Sequence, residues 1–484
     1  MKTRSILLTL FQAMILLPIG TTLQGQVDFV KRPIELDFKG ACSVNTADIN
    51  GDGYTDVVAA GTEAGGIAWW ANDGGYPPTF SKQIIDTISP EAIYVYPADI
   101  DGDGDVDLAI AGYTANKIAV WWNEGGNPVS WDQQDVDLQF YHAHEVKVAD
   151  IDGDGDADLV GASAVNNEVA WWQHGSGVPV GWTKRTISTE VFGARSVFPV
   201  DIDADGDTDI LSAGLDDDDV SVFINEGGYP ITWTEQMIED DLNGAHWVFS
   251  MDMDNDNDMD VLAACYMGAA IAIWYNDGNN PPQFTKFVLD GNFPGALSVV
   301  AAKIDEDDYP DVVAGGATAA DVRVYYNDGT GSANFTRVIL DPSFYGVWPV
   351  WVSDLDNDSD IDILSTSSTN NDIYWWDNQI VSTGMNPSGE KIQGLRLDKV
   401  YPNPFNQEVR IRYSVADNQH VTIQVFSIMG TLIRTLQQEE MSAGLHTSSW
   451  NGDDNNGAPV PEGIYLCRIT SSGSVDWSYL SKRK

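Results

Sequence analysis

Short apolar runs separated by polar turns fill the chain from about residue 27 to 378, and none carries the spacing of an amphipathic helix. One unit makes the pattern plain. Ala92–Ala98 is an apolar run that leads into the acidic stretch Asp99-Ile-Asp-Gly-Asp-Gly-Asp-Val-Asp107. Leu108–Ala111 leaves that stretch, Lys117–Trp122 follows, and after the turn cluster Asn123-Glu-Gly-Gly126 comes Trp131–Val136. The spacing predicts four strands. The third is apolar on both faces (Ile118, Val120, Trp121), as in a sheet packed on both sides.

The unit repeats without insertion or deletion. The acidic stretch begins at Asp48, Asp99, Asp150, Asp201, Asp252, Lys303 and Asp354, each 51 residues on (99 − 48, and so to 354 − 303). Seven in-phase copies mean seven copies of one structural unit. Small four-stranded sheets packed face to face around an axis make a β-propeller, so the pattern predicts an all-β, seven-bladed β-propeller. In register with Trp121 stand Trp70, Trp172, Phe223, Trp274, Tyr325 and Trp376. A ring of aromatics at one strand position reads as packing between blades, with a stacking platform for sugars as the sharper alternative.

The ends of the array imply closure. Fourth strands start at Phe80, Trp131, Trp182, Trp233, Phe284 and Phe335, but the seventh would fall at Asn386-Pro-Ser-Gly, which reads as linker. Phe29–Asp37 resembles Phe284–Asp290 and lies one period before Phe80 (80 − 29 = 51). The N-terminal strand 29–37 is therefore expected to complete blade seven and leave no open edge.

The acidic loop has its own chemistry. In the second copy Asp99, Asp101, Asp103 and Asp107 hold loop positions 1, 3, 5 and 9, and glycines at positions 4 and 6 let the backbone curl. Like charges about 4 Å apart cost on the order of 1–4 kcal/mol per pair, so such a loop closes around a cation. Carboxylate and carbonyl oxygens without Cys or His select calcium. Position 12, Ile110, carries no carboxylate, so the loop is not an EF-hand.

Composition narrows the partners. A formal net charge of −48 argues against binding a phosphate backbone. Cys42, Cys265 and Cys467 are too few for a disulfide framework, and Cys42 and Cys265, in strand-like runs, read as buried structural thiols. Residues 1–25 read as a signal peptide, with Lys2 and Arg4 before the apolar Ile6–Leu17; a membrane anchor is the weaker reading of so short a run. No other stretch could span a bilayer, which implies an exported protein.

Seven Asp-x-Asp-x-Asp-Gly-x-x-Asp loops, each followed by a short apolar strand, resemble FG-GAP or VCBS-type repeats, whose best-known relative is the integrin α-chain head. The resemblance covers about residues 27–378 and implies a calcium-binding propeller. Carried onto this sequence, it implies metal ligands Asp48, Asn50, Asp52 and Asp56 in the first loop and Asp99, Asp101, Asp103 and Asp107 in the second. Asp150, Asp152, Asp154 and Asp158 follow, then Asp201, Asp203, Asp205 and Asp209, then Asp252, Asp254, Asp256 and Asp260, and finally Asp354, Asp356, Asp358 and Asp362. The position-7 carbonyls of Tyr54, Asp105, Asp156, Asp207, Asp258 and Asp360 should contribute as well. Lys303 breaks the sixth loop, which is expected to stay empty, its ammonium pairing with Asp305, Asp307 and Asp311.

Residues 379–394 read as a Ser/Gly/Asn-rich linker, and 395–484 as a small Ig-like β-sandwich with strands near Val409–Val415, Val421–Ile428 and Gly463–Ile469. Tyr401-Pro-Asn-Pro-Phe405, Val425-Phe-Ser-Ile-Met-Gly430, Gly463-Ile-Tyr465 and the basic Lys482-Arg-Lys484 resemble the type A C-terminal sorting domain of the type IX secretion system. That resemblance implies export to the surface or surroundings of a Gram-negative bacterium, with the secretion machinery as a partner. An ordinary Ig-like accessory module is the alternative.

In a four-stranded blade the acidic loop and the three-to-four turn share one end. The other end gathers Glu91, Tyr94, Tyr141, His142, His144, Glu145, Arg195, His246, Trp247, Tyr345 and Trp348, and His144, Arg195 and His246 hold one repeat position in blades three, four and five. His142, His144, Arg195, His246, Trp247 and Trp348 form the candidate ligand site. Stacking rings beside cationic groups suit an acidic glycan or a protein carboxylate. Two functions compete: a binding or adhesion module held together by calcium, and a polysaccharide lyase or hydrolase using His, Arg and Tyr for proton transfer. No nucleophile motif, carboxylate pair or cofactor loop favours catalysis.

Overall fold

The computed structural model describes residues 26–62, 66–86, 92–177, 179–305, 307–329, 334–358, 360–381, 395–401, 403–415, 418–428, 430–442, 444–471 and 475–483. The expected signal peptide, Glu91, and linker residues 382–394 lie outside them.

Every described element of regular structure is a strand. Between Gln26 and Val381 they form seven four-stranded antiparallel sheets. Blade two is typical: Ala92–Ala98, Asp107–Gly112, Lys117–Asn123 and Trp131–Asp137 pair in chain order. Its inner three strands are mostly buried and its fourth is half-exposed, so each blade runs from an apolar inner edge to a wet outer one. In blade seven the outer strand is Gln26–Leu36, antiparallel to Asp372–Val381 with Phe29 opposite Asn378. Gln379–Val381, read from sequence as linker, belongs to that strand and pairs with Gln26–Asp28. First strands of successive blades touch around the axis, and Val347–Ser353 of blade seven meets Ala41–Ala47 of blade one.

The aromatic ring is core. Trp70, Trp172, Phe223, Trp274, Tyr325 and Trp376 are buried, three of them with a phenylalanine edge-on at about 5 Å: Phe38 on Trp70, Phe140 on Trp172 and Phe344 on Trp376. Trp121 is the exception and remains half-buried.

Strands Leu395–Tyr401, Val409–Val415 and Gly444–Trp450 form one sheet of the C-terminal unit. Leu432–Met441, Gln419–Ser427, Gly463–Thr470 and Val475–Lys482 form the other. Val409, Ile411, Tyr413, Ile423, Val425 and Trp450 fill the space between them.

Candidate metal loops and the opposite face

The seven acidic loops stand at one end of the ring. In loops two, three, four, five and seven, carboxylate oxygens at positions 1, 3 and 9 lie within 4.8 Å of one another: Asp99, Asp101 and Asp107; Asp150, Asp152 and Asp158; Asp201, Asp203 and Asp209; Asp252, Asp254 and Asp260; Asp354, Asp356 and Asp362. In the first loop Asn50 replaces one carboxylate, and Asp48, Asp52 and Asp56 keep the same loop turns. Oxygen donors converging in this way suit a hard divalent ion. The curl needs left-handed backbone at positions 4 and 6. Glycine supplies it at Gly102 and Gly104 (φ 75° and 97°), whereas Asn255 and Asn257 take it in loop five.

Position 9 does a second job. Each of its oxygens accepts one backbone amide. In loop two Asp107 takes the Ile100 amide at 3.0 Å and the Asn123 amide at 2.8 Å, and loops one, three, four, five and seven repeat this with Asp56, Asp158, Asp209, Asp260 and Asp362. Burial, with neighbouring carboxylates adding to it, pushes Asp56, Asp107, Asp158, Asp209 and Asp260 up to about 7 against the pull of those amides. Asp356 is pushed to about 9 by burial and by Asp358.

The asparagine that ends strand three was legible only as part of a turn. Asn123 Nδ2 donates to the Val106 carbonyl of its own loop at 3.1 Å and to the Ile49 carbonyl of the preceding blade's loop at 2.9 Å, while its Oδ1 accepts the Gly125 amide. Asn72, Asn225, Asn276, Asn327 and Asn378 make the same inter-blade bond, to Leu355, Ile151, Ile202, Met253 and Ile304. The bond from Asn72 to Leu355 crosses the seam between blades seven and one. In blade three His174 takes the position, and both its ring nitrogens are buried without a hydrogen-bond partner. The recurrence of asparagine at 51-residue spacing was the sequence signal for this ring.

Loop six departs from the others. The expected pairing of Lys303 with Asp305, Asp307 and Asp311 is corrected: Lys303 is exposed, and no ion pair holds it among the described residues. Asp311 Oδ2 is instead occupied by two amides, Ile304 at 3.0 Å and Asp305 at 3.1 Å.

The opposite end brings part of the candidate site together. The rings of His144 and His246 lie 5.4 Å apart, and Arg195 stands between them in register. His144 Nδ1 faces the Arg195 carbonyl at 2.8 Å and His246 Nδ1 the Leu297 carbonyl at 3.0 Å. His142 stacks on Tyr113 at 4.2 Å. Both His144 and His246 are buried. Burial, with His246 and Arg195 nearby, holds His144 well below the usual imidazole range, and burial with Arg195 brings His246 to about 4. The expected cationic patch is thus corrected to one charge, Arg195, half-buried with its Nε lacking a partner. Trp247 is buried against Tyr94, 5.9 Å away, and Trp348 packs half-buried on the core, so neither joins the histidines.

Trp247 and Tyr94 surround a group that sequence reasoning passed over. Lys147 Nζ is buried on the axis, 2.6 Å from Tyr94 Oη and 3.2 Å from Glu145 Oε1, with the rings of Tyr94, Tyr96, Trp247 and Trp351 each within 6 Å. Desolvation lowers its pKa, but Tyr94, Glu145 and Tyr96 outweigh it and hold the ammonium above the ordinary lysine range. Only closure of the ring brings these residues of blades two, three, five and seven together.

Residues 48–110, 99–161, 150–212, 201–263, 252–314 and 304–365 match the FG-GAP-like repeat family, together more than half of the chain. The chain belongs to the FG-GAP-like repeat family. Its C-terminal residues 404–474 match the FlgD Ig-like domain. A 52-residue stretch is 40% identical to the basal-body rod modification protein FlgD of Salmonella typhimurium and equally to that of Salmonella typhi, covering 11% of this chain and 22% of each relative. The chain thus spans about a fifth of the length of the curated relatives it matches. Similar solved structures include the BBS1N part of a complex with ARL6DN (TM-score 0.47, 13% identity, 73% of this chain and 97% of that one). PorZ, described as an essential bacterial surface component of the type IX secretion system of Porphyromonas gingivalis, gives a TM-score of 0.41 at 14% identity over 93% of this chain and 60% of that one. The periplasmic gluconolactonase PpgL of Pseudomonas aeruginosa gives 0.44 at 14% identity, over 62% of this chain and 84% of that one.

Proposed function

We propose that this FG-GAP-like protein is a calcium-stabilised, secreted or cell-surface binding module that takes an acidic glycan or a protein carboxylate on the face opposite its acidic loops. The observation that carries the reading is Arg195. Its guanidinium is half-buried with an unpartnered Nε, and Tyr141, Phe192 and Tyr266 are exposed on the loops of the same three blades. A half-buried cation on a face whose loops carry exposed rings suits a carboxylate attached to a ring or chain that stacks. Calcium in up to six loops, as Asp-rich sets in this family suggest, would hold the blades that carry these loops. Residues 1–25 serve as export signal and the C-terminal sandwich as a sorting domain read by type IX secretion, in a Gram-negative bacterium.

The test incubates the purified chain and its Arg195→Ala variant with a panel of acidic and neutral polysaccharides, measuring binding and newly formed reducing or unsaturated ends. Binding of acidic polymers by the parent and not by the variant, with both melting alike, supports the proposal. New chain ends would make the protein an enzyme, and equal binding by the variant would remove Arg195 from the site.

A further inference from the structure

The seventh acidic loop differs from the rest in being covered. Position 5 is exposed in loops two to five, at Asp103, Asp154, Asp205 and Asp256, yet Asp358 is only 3% exposed. Asp356 and Asp360 are buried with it, at 8% each. The cover comes from the C-terminal sandwich. Arg412 of strand Val409–Val415 donates from Nη1 to Asp360 Oδ2 at 3.0 Å, and both side chains are 9% exposed. One blade along, Arg410 lies over the Tyr76 ring at 3.6 Å and Tyr54 Oη donates to Asn406 Oδ1 at 3.2 Å. A cleft of about 410 Å³ between the units is lined by Asp52, Tyr54, Asp354, Tyr401, Phe405 and Arg483, among others.

We propose that the sandwich is a cap on the seventh loop, and that calcium in this loop is what allows the cap to dock. Burial and charge decide it. Docking gathers Asp354, Asp356, Asp358, Asp360 and Asp362 beneath one protein surface, against the guanidinium of Arg412 and, across the cleft, that of Arg483. The cover takes Asp356, Asp358 and Asp360 out of water, and the buried Oδ2 of Asp356 is left without a hydrogen-bond partner, which is costly without a further cation. A divalent ion held among the oxygens of Asp354, Asp356 and Asp362, which lie within 4.8 Å of one another, would offset that cost. Asp360 fits the scheme because position 7 lends the ion its carbonyl, leaving its carboxylate for Arg412. Bound calcium would thereby fix the anion to which the sandwich docks. The inference rests on calcium filling the loops, which calorimetric titration of the whole chain with calcium measures separately.

The test introduces a specific protease site within residues 382–394, cuts the purified chain in calcium, and follows the two fragments by gel filtration. The expected result is co-elution in calcium and separation after excess chelator. Loop-specific variants remove any general effect of chelation. Asp358→Asn should release the sandwich in calcium, while Asp154→Asn in the exposed third loop should not. Arg412→Ala, which leaves the propeller untouched, should weaken the association of the fragments at least tenfold. Fragments that stay together in chelator, that separate already in calcium, or that respond alike to Asp358→Asn and Asp154→Asn would overturn the proposal.

Discussion

The asparagine ring makes a quantitative claim. Replacing Asn225 by alanine removes three hydrogen bonds: Nδ2 to the Ile151 carbonyl (3.1 Å), Nδ2 to the Thr208 carbonyl (3.2 Å), and the Gly227 amide to Oδ1 (2.9 Å). The backbone bond from Asn225 to Asp209 survives. At about 1 kcal/mol net for each bond, the loss is about 3 kcal/mol. A repeat region of roughly 350 residues unfolding with about 2.1 cal/mol/K per residue gives an unfolding entropy of about 0.7 kcal/mol/K, so the melting temperature should fall by about 4 °C. Blade three supplies the reverse experiment. His174→Asn should lose the edge contact with Trp182 and the 3.8 Å approach of Nδ1 to Asp156, but gain bonds to the Ile100 and Ala157 carbonyls, which hold the matching register, and end the burial of two ring nitrogens that make no hydrogen bond. A gain of about 1–2 kcal/mol, or about 2 °C, is expected. Calorimetry in saturating calcium reads both variants. An unchanged melt for Asn225→Ala, or a lower one for His174→Asn, would refute the view that these side chains tie neighbouring blades together.

Chelation should lower the melting temperature: at about 1 mM calcium and dissociation constants of ~10⁻⁴ to 10⁻³ M, each site adds roughly 0.4–1.4 kcal/mol. An unchanged melt in excess chelator would exclude calcium as the stabiliser. In chelator, the position-9 carboxylates raised to about 7 bind protons in the folded state that the unfolded chain releases near 4, so stability should be greatest at low pH and fall as pH rises through about 7. Melts at pH 5 and pH 8 without calcium check the sign. Lys147→Ala should cost about 3–5 kcal/mol, because Glu145 is left buried beside Tyr94 without its ammonium, and pairing it with Glu145→Gln should recover part of the loss in chemical denaturation. Lys303→Asp should restore a full set of position-1, 3 and 9 carboxylates in loop six and add one calcium per chain by calorimetric titration; no added site would mean that the amides on Asp311 keep the loop closed.

Everything that repeats was legible in the amino-acid sequence. A 51-residue period, four strands per period, the acidic positions and the buried ring of aromatics all follow from local alternation and turn chemistry, which the chain carries in every copy. It also carried the asparagine ring, though as a period whose purpose no single blade reveals, since each Asn bonds a carbonyl 74 residues earlier within the array and, for Asn72, the Leu355 carbonyl across the closing seam. Residues that do not repeat take their role from the folded ring instead. His144 and His246 read as surface cations because nothing local marks them as buried; packing around the axis removes their water and with it their charge. Lys147 looked unremarkable in its strand, and acquired partners from blades two, five and seven only when the ring closed. Loop seven has the same pattern as its neighbours, yet it alone among the position-5 carboxylates of loops two to five and seven is buried, because the sandwich lies over it. Periodicity specifies contacts that every copy shares, whereas burial and charge state at a unique residue depend on which distant segments the fold brings against it.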